Sequence, residues 1–202
     1  MSKESMKMKE TNRQLQKEQT RNKIMEIALK EFAEGGLITT ATSKIASAAN
    51  VSHGTIFAHF KTKDILLQAV INEVGKRIIS KLDELVNSSC NMKDVLFAHL
   101  IGISEYEDFY SRLILEGKLL NKELRNEIIL IQSSISFHIG QIAEREMKEG
   151  KIKELPLDLL FNTWLGLIEH YLINKDLFVN KTTIYEEHGE RIVNYFINLI
   201  KK

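Results

Sequence analysis

Residues 53–63, HGTIFAHFKTK, combine short side chains and two imidazoles with a lysine, Lys63, at the end. On a helix, His53, Gly54, Thr55, Phe57 and Ala58 share the outward side, with His59 at the end. Such a face is shallow enough to sit deep in a major groove. There Thr55 meets a base edge or a thymine methyl, and the His53 ring donates to or accepts from a base. Lys63, at the start of the following helix, adds an ammonium to backbone N–H groups that already attract phosphate.

These residues need a support that aims them, and the preceding segment TSKIASAANVS at 42–52 has the features of one. Two short helices that cross closely need a small residue at the contact, a turn residue tolerant of left-handed backbone, and apolar residues that lock the pair. Ala46 is the small residue, Asn50 tolerates the left-handed region, and Ile45, Val51 and Ile56 are the locks. Ser52 is placed to cap the second of the two helices. The pattern predicts helices over 42–49 and 53–59. Before them, Ile24, Ile27, Ala28 and Phe32 mark an amphipathic helix from Thr20 to the Gly35-Gly36 pair. After them, Thr62 caps a long helix with an apolar face of Leu66, Val70, Val74, Ile78, Leu82 and Leu85, expected to join two domains and to act as a lever between them.

In order along the chain, FAEGG at 32–36, IASAANVS at 45–52, GTIFAHF at 54–60 and KDIL at 63–66 resemble the TetR family of bacterial transcriptional regulators, over about residues 20–75. The resemblance implies DNA contacts at Thr42 and Ser43, at the start of the first short helix, and at His53, Gly54, Thr55, Phe57, His59 and Lys63, with Ser52 as the cap. It also implies a C-terminal region that dimerises and holds an inducer pocket. Three positions depart from the family pattern. Asn50 stands where glycine is usual, Phe57 replaces a tyrosine whose hydroxyl would bond to phosphate, and Ser43 replaces a long basic residue. A purely structural three-helix bundle explains Phe32, Ile45, Val51, Ile56 and Phe60 as core, but not the short exposed face with its flanking His59 and Lys63.

Charge is divided in the same way as the motifs. Residues 1–63 hold 11 Lys/Arg against 6 Asp/Glu, a balance of +5, and the remainder is −4, within a chain of net charge +1. A basic front attached to an acidic body suits a nucleic-acid module fused to something else. Ten glycines and one proline, Pro156, leave few breaks for a β-rich fold, and the expected class is all-α. Residues 1–17 read as a flexible basic extension, solvated or lying along DNA. Residues 18–65 read as the helix-turn-helix domain and 66–202 as a helical bundle for ligand binding and dimerisation. Within the bundle, helices are expected over 92–103, 105–120, 122–149, 156–174 and 183–201, with NKDLFVNKTT separating the last two. The single cysteine, Cys90, forms no intramolecular disulfide, and apolar runs are too short for a signal peptide or a membrane span, so a cytoplasmic protein without a membrane partner is expected.

Residues 157–173 are apolar around much of the helix, as is the last helix, so two such helices per subunit suit a four-helix homodimer interface. Phe161, Leu165, Ile168, Ile192, Phe196 and Ile200 are the candidates. Two-fold pairing then predicts a palindromic operator on double-stranded DNA. Candidate pocket residues are Phe97, His99, Tyr106, Phe109, Tyr110, Phe137, His138, Trp164 and His170, aromatic rings with polar edges that suit a small amphipathic or aromatic ligand. Each also serves as an ordinary core filler. Glu105, Glu107, Asp108 and Glu116 add an acidic bias toward a lipophilic cation. His99, His138 and His170 lack close ligand spacing, so neither a metal nor a cofactor is expected. No G-x-S-x-G, H-E-x-x-H, G-x-x-x-x-G-K or G-x-G-x-x-G pattern occurs, and an enzyme is a remote alternative. The leading expectation is a ligand-released repressor. The alternative is a DNA-binding regulator controlled by a protein partner.

Overall fold

A computed structural model describes residues 3–202, with side chains from Asn12 onward. The extension expected at 1–17 therefore lies partly outside the described residues. The described backbone is helical from Lys3, so α1 (Lys3–Gly35) begins well before Thr20, where the sequence pattern starts it, and takes in residues 3–17 of the expected flexible extension. The chain divides into two compact units, Met1–Val70 and Ile71–Lys202. That division falls a few residues later than the expected one at 65. Leu66, Leu67 and Val70 are buried and belong to the first unit.

The first unit holds α1, α2 (Thr42–Ala48), α3 (His53–His59) and the start of α4 (Lys63–Leu85). Its core holds most of the apolar residues read from the sequence, Ile24, Ala28 and Phe32 from α1 with Ile45, Ile56 and Phe60, joined by Leu37, each no more than 1% exposed, whereas Ile27 and Val51 are only half-buried. α1 stops where Gly36 takes φ +88° and its N–H reaches the Phe32 carbonyl at 3.0 Å, closing the last turn in the left-handed conformation that glycine adopts without strain. A Cβ on Gly35 would collide with the Thr40 hydroxyl oxygen, and that hydroxyl donates to the Glu31 carbonyl at 3.0 Å.

The second unit contains α5 (Met92–Ser104), α6 (Glu107–Glu116), a 3-10 turn at Gly117–Leu119, α7 (Lys122–Lys148), α8 (Leu157–Ile173), α9 (Lys175–Phe178) and α10 (Ile184–Ile200). α5 packs on α7 and α10, and α8 packs on α6 and α7. Capping boxes start two of these helices, Asn91 with Asp94 for α5 and Thr183 with Glu186 for α10. Two expectations need correction. The helix expected over 105–120 begins only at Glu107 and ends as the 3-10 turn, and the break expected at 174–183 contains α9. One buried carboxylate connects these segments: Glu107, at the start of α6, accepts from the Ile184 and Tyr185 N–H groups at 3.1 and 3.3 Å and pairs with Lys175 of α9 at 3.2 Å. It thereby satisfies donors at the N-terminus of α10, a long-range contact with no local sequence signature. Among the described residues no strand forms, and no helix is long and apolar enough to cross a membrane.

Trp164 lies at the centre of the second unit, fully buried, 5.2 Å from the Phe196 ring, with its indole N–H donating to His99 Nδ1 at 3.0 Å. The proton of neutral His99 must then sit on Nε2, which is buried without a partner. Burial pushes the His99 pKa down from 6.5 to about 4. The folded-state pKa is depressed, so the unfolded chain binds the extra proton first, and stability present above about pH 6.5 is lost as pH falls toward 4. The loss is on the order of 3 kcal/mol by pH 4. Denaturant melts at pH 7 and pH 4.5 should show a steeper loss for the wild type than for His99→Gln, whose amide oxygen still accepts from Trp164. Parallel losses would remove His99 as the source of acid sensitivity.

Candidate nucleic-acid interface and ligand pocket

α2 and α3 meet through a turn held by Asn50, the one non-glycine residue at positive φ (+53°) among the described residues. With Asn50 in this conformation, the Val51 N–H returns to the Ala46 carbonyl at 3.0 Å, and the small Ala46 side chain is 4% exposed at the crossing. Asparagine therefore meets the demand usually placed on glycine here. Ser52 then caps α3: its hydroxyl oxygen accepts from the Thr55 N–H at 3.1 Å and lies 2.8 Å from the Thr55 hydroxyl. The cap fixes the first turn of α3, which carries the candidate reading residues.

His53, Gly54, Phe57 and Ala58 are exposed along one side of α3, and Thr55 is half-buried beside them. A Cβ on Gly54 would meet only the edge of Ser52, so this face is open as well as shallow. The Phe57 ring packs edge-on against His53 with centroids 4.9 Å apart, a place for the ring that does not depend on the missing tyrosine hydroxyl. Thr42, half-buried, is hydrogen-bonded to His53 Nε2 at 2.9 Å, tying the start of α2 to the start of α3, and Ser43 beside it is exposed at the same edge. Lys63 is engaged within the unit. Its ammonium donates to the Ile38 carbonyl at 2.6 Å and lies 5.9 Å from the centre of the Phe32 ring. His59 is half-buried, and burial, followed by the charges of Lys17 and Arg21, holds its pKa below the ordinary value. Lys61, exposed between α3 and α4, is a cation at the same end that sequence reasoning missed, because it lies outside the family's marked positions.

The second unit contains a pocket of about 510 Å³ walled by α6, the 3-10 turn, α7 and α8. Leu113, Ile114, Ile128 and Ile129 form its apolar sides, Tyr110, Gln132 and Glu169 bring polar groups, and Lys118 and Arg125 stand exposed at its rim. The Tyr110 side chain is 5% exposed, and its hydroxyl, buried with the Gln132 amide nearby, makes no hydrogen bond of ordinary geometry. Burial, reinforced by the nearby Glu169 carboxylate, raises the phenol pKa, and burial raises that of Glu169. An unpaired buried hydroxyl costs on the order of 1–3 kcal/mol, which a ligand's polar group would recover.

Tyr110 is the one residue of the expected aromatic set that lines this pocket. The others are dispersed. Phe109, Trp164 and His99 are core, Phe97 is half-buried below the Lys93 ammonium, and the Tyr106 hydroxyl donates to Glu105 at 3.2 Å. Phe137 is 62% exposed and borders a separate groove between α7 and α8 together with Phe161. His138 faces Asp83 at 3.4 Å, and His170 lies 6.0 Å from the Phe178 ring centre. The acidic bias toward a cation also has another explanation: Glu107 caps α10, Asp108 pairs with Lys175 at 2.9 Å and Glu116 with Arg112 at 3.8 Å. Phe161, Leu165, Ile168, Ile192, Phe196 and Ile200, expected at a dimer interface, are all buried within the protomer's own core. Periodicity marks an apolar stripe but not which neighbour covers it. Leu159, Thr163 and Gly166 of α8 and Tyr195 and Leu199 of α10 are among the residues exposed instead.

Residues 24–70 match the family model of bacterial regulatory proteins of the tetR family. The chain is also 30% identical over 145 residues to the nucleoid occlusion factor SlmA of Shewanella sediminis, covering 69% of this chain and 73% of that one. The chain belongs to the TetR family. As a TetR family member it is a DNA-binding transcriptional regulator with a helix-turn-helix domain. Other TetR-like relatives include YhgD of Bacillus subtilis, an HTH-type transcriptional regulator, at 25% identity over 82% of this chain and 94% of that one. The fatty acid metabolism regulator protein of the same organism is 27% identical over 75% of this chain and 82% of its own. The TetR fold extends through both units: the crystal structure of FadR from Bacillus subtilis in complex with stearoyl-CoA superposes with a TM-score of 0.74 at 23% identity, covering 88% of this chain and 98% of that one.

Replacing Ser52 with Ala should lower the stability of the TetR domain by about 1 kcal/mol, the usual worth of such a cap. Amide exchange along α3 should accelerate more than along α1. Unchanged protection in α3 would mean that the cap does not set its first turn.

Proposed function

We propose that this regulator is a homodimeric repressor that binds a palindromic operator and leaves it when a small amphipathic molecule occupies the pocket bounded by α6, α7 and α8. The observation that carries the ligand-responsive part is the unpartnered Tyr110 hydroxyl, buried at an otherwise largely apolar cavity. A ligand with an apolar body against Leu113, Ile114 and Ile128, and a hydrogen-bonding group at Tyr110, fits these walls. Exposed Lys118 and Arg125 favour a negative rather than a positive head at the rim. The ligand releases DNA by binding more tightly to the conformation that does not match the operator.

On DNA, α3 is the helix that enters the major groove, with His53, Gly54 and Thr55 nearest the bases. Thr42, Ser43, Phe57, His59 and Lys63 flank it toward the backbone. Pairing uses the exposed faces of α8 and α10, where Leu159 and Tyr195 are 60% and 59% exposed and Leu199 is 46% exposed. Gly166 faces open space on the same side of α8 and permits close approach of a second helix.

Selection of bound sequences from a random duplex library at stated salt should recover a palindrome. Recovery of no motif, with salt-sensitive binding retained, would leave a non-specific binder and move attention to control by a protein partner. Thr55→Ala should reduce discrimination between sequences while affinity for random duplex is kept. Tyr195→Asp combined with Leu199→Asp should yield a folded monomer in sedimentation, with operator affinity reduced at least tenfold. A dimer that survives both changes would exclude the α10 face.

A further inference from the structure

The matched family region begins at Ile24, but α1 begins well before it. On a helix of 3.6 residues per turn, Arg13, Lys17 and Arg21 follow one another at four-residue steps and lead into Met25, Ala28 and Phe32. The face that is buried in the core from Ile24 onward is thus continued, in the preceding turns, as a row of cations. Arg13 and Lys17 are exposed. Arg21 is half-buried, its guanidinium 4.7 Å from the centre of the Phe60 ring, directly after α3. Lys17 and Arg21 both act electrostatically on His59, the last residue of α3. None of the three cations is in an ion pair among the described side chains. The row therefore lies beside the C-terminal end of the helix assigned to the major groove, and it spans about 12 Å of helix, roughly the rise of three to four base pairs.

We propose that Arg13 and Lys17, positioned by Arg21 packed on Phe60, bind the phosphate backbone of DNA beyond the half-site read by α3, so that α1 lengthens the footprint of each subunit. Continuity with the reading helix and complementarity of charge select DNA as the occupant. A rigid helix holds its cations in register with the duplex, where a disordered tail would pay to order them. The proposal rests on the assignment of α3 to the major groove.

The test compares the full chain, its Arg13→Gln/Lys17→Gln variant and its Arg13→Lys/Lys17→Arg variant. Each is measured on the selected operator with long flanks and on the same operator trimmed at its ends. Arg21 is left in place because it packs against Phe60. The wild type should lose about tenfold in affinity on trimming, and the glutamine variant should bind the long duplex about tenfold more weakly and gain nothing from the flanks. Its slope of log K against log salt should become shallower by about 0.9 for each phosphate that is no longer neutralised. The exchanged-cation variant should behave as the wild type. Wild-type affinity that ignores the flanks, or a glutamine variant that keeps the wild-type affinity and slope on the long duplex, would overturn the proposal. Failure of the α3 assignment has a different signature. The wild type would then bind operator and scrambled duplex alike, and the role proposed for α1 would fall with it.

Discussion

The candidate reading surface depends on the crossing of two helices that are each too short to persist alone. α2 and α3 have 7 residues apiece, below the length at which an isolated helix holds together in water. Their direction is set by three local constraints: the positive φ of Asn50, the small Ala46 side chain at the crossing, and the Ser52 cap. Ile45, Ile56 and Phe60 then anchor both helices in the core that α1 provides. A shift of the crossing would move Thr42 and His53 together, because their hydrogen bond ties the beginnings of the two helices.

What was legible in the sequence follows the range of the interactions involved. Turn residues, caps and i, i+4 apolar spacing act between near neighbours, so α2, α3, the end of α1 at Gly35-Gly36 and the Ser52 cap could be read directly. Glu107 was read as part of an acidic bias toward a cationic ligand, because its actual role depends on the Ile184 and Tyr185 N–H groups far along the chain. The same reason separates the aromatic set from the pocket. Trp164, Phe109 and Phe196 carry the size and apolarity that fill cores, and the long-range packing of α5, α8 and α10 used them for that. Ile114, Ile128 and Ile129, which line the pocket, are indistinguishable from core residues in a linear pattern.

The two units handle buried polarity differently. In the first, Thr40 is 3% exposed and bonded, and the main electrostatic features stand at the surface: Lys44 with Glu31 at 2.7 Å, and Lys63 on the Ile38 carbonyl. The second unit buries Glu107, Glu146 and His99, each used to join elements distant in sequence, and leaves the Tyr110 hydroxyl and His99 Nε2 unsatisfied, as the first leaves His59 Nδ1. A core that leaves a hydroxyl unpaired gives up stability, and such losses concentrate where binding recovers them.

The distribution of aromatic residues has a consequence for how the molecule is observed. Its single tryptophan, Trp164, and all 5 tyrosines lie beyond Val70. Intrinsic ultraviolet emission therefore comes from the helical bundle alone. The unit that carries α2 and α3 contributes only the faint signal of phenylalanine. A movement confined to that unit leaves the emission spectrum unchanged.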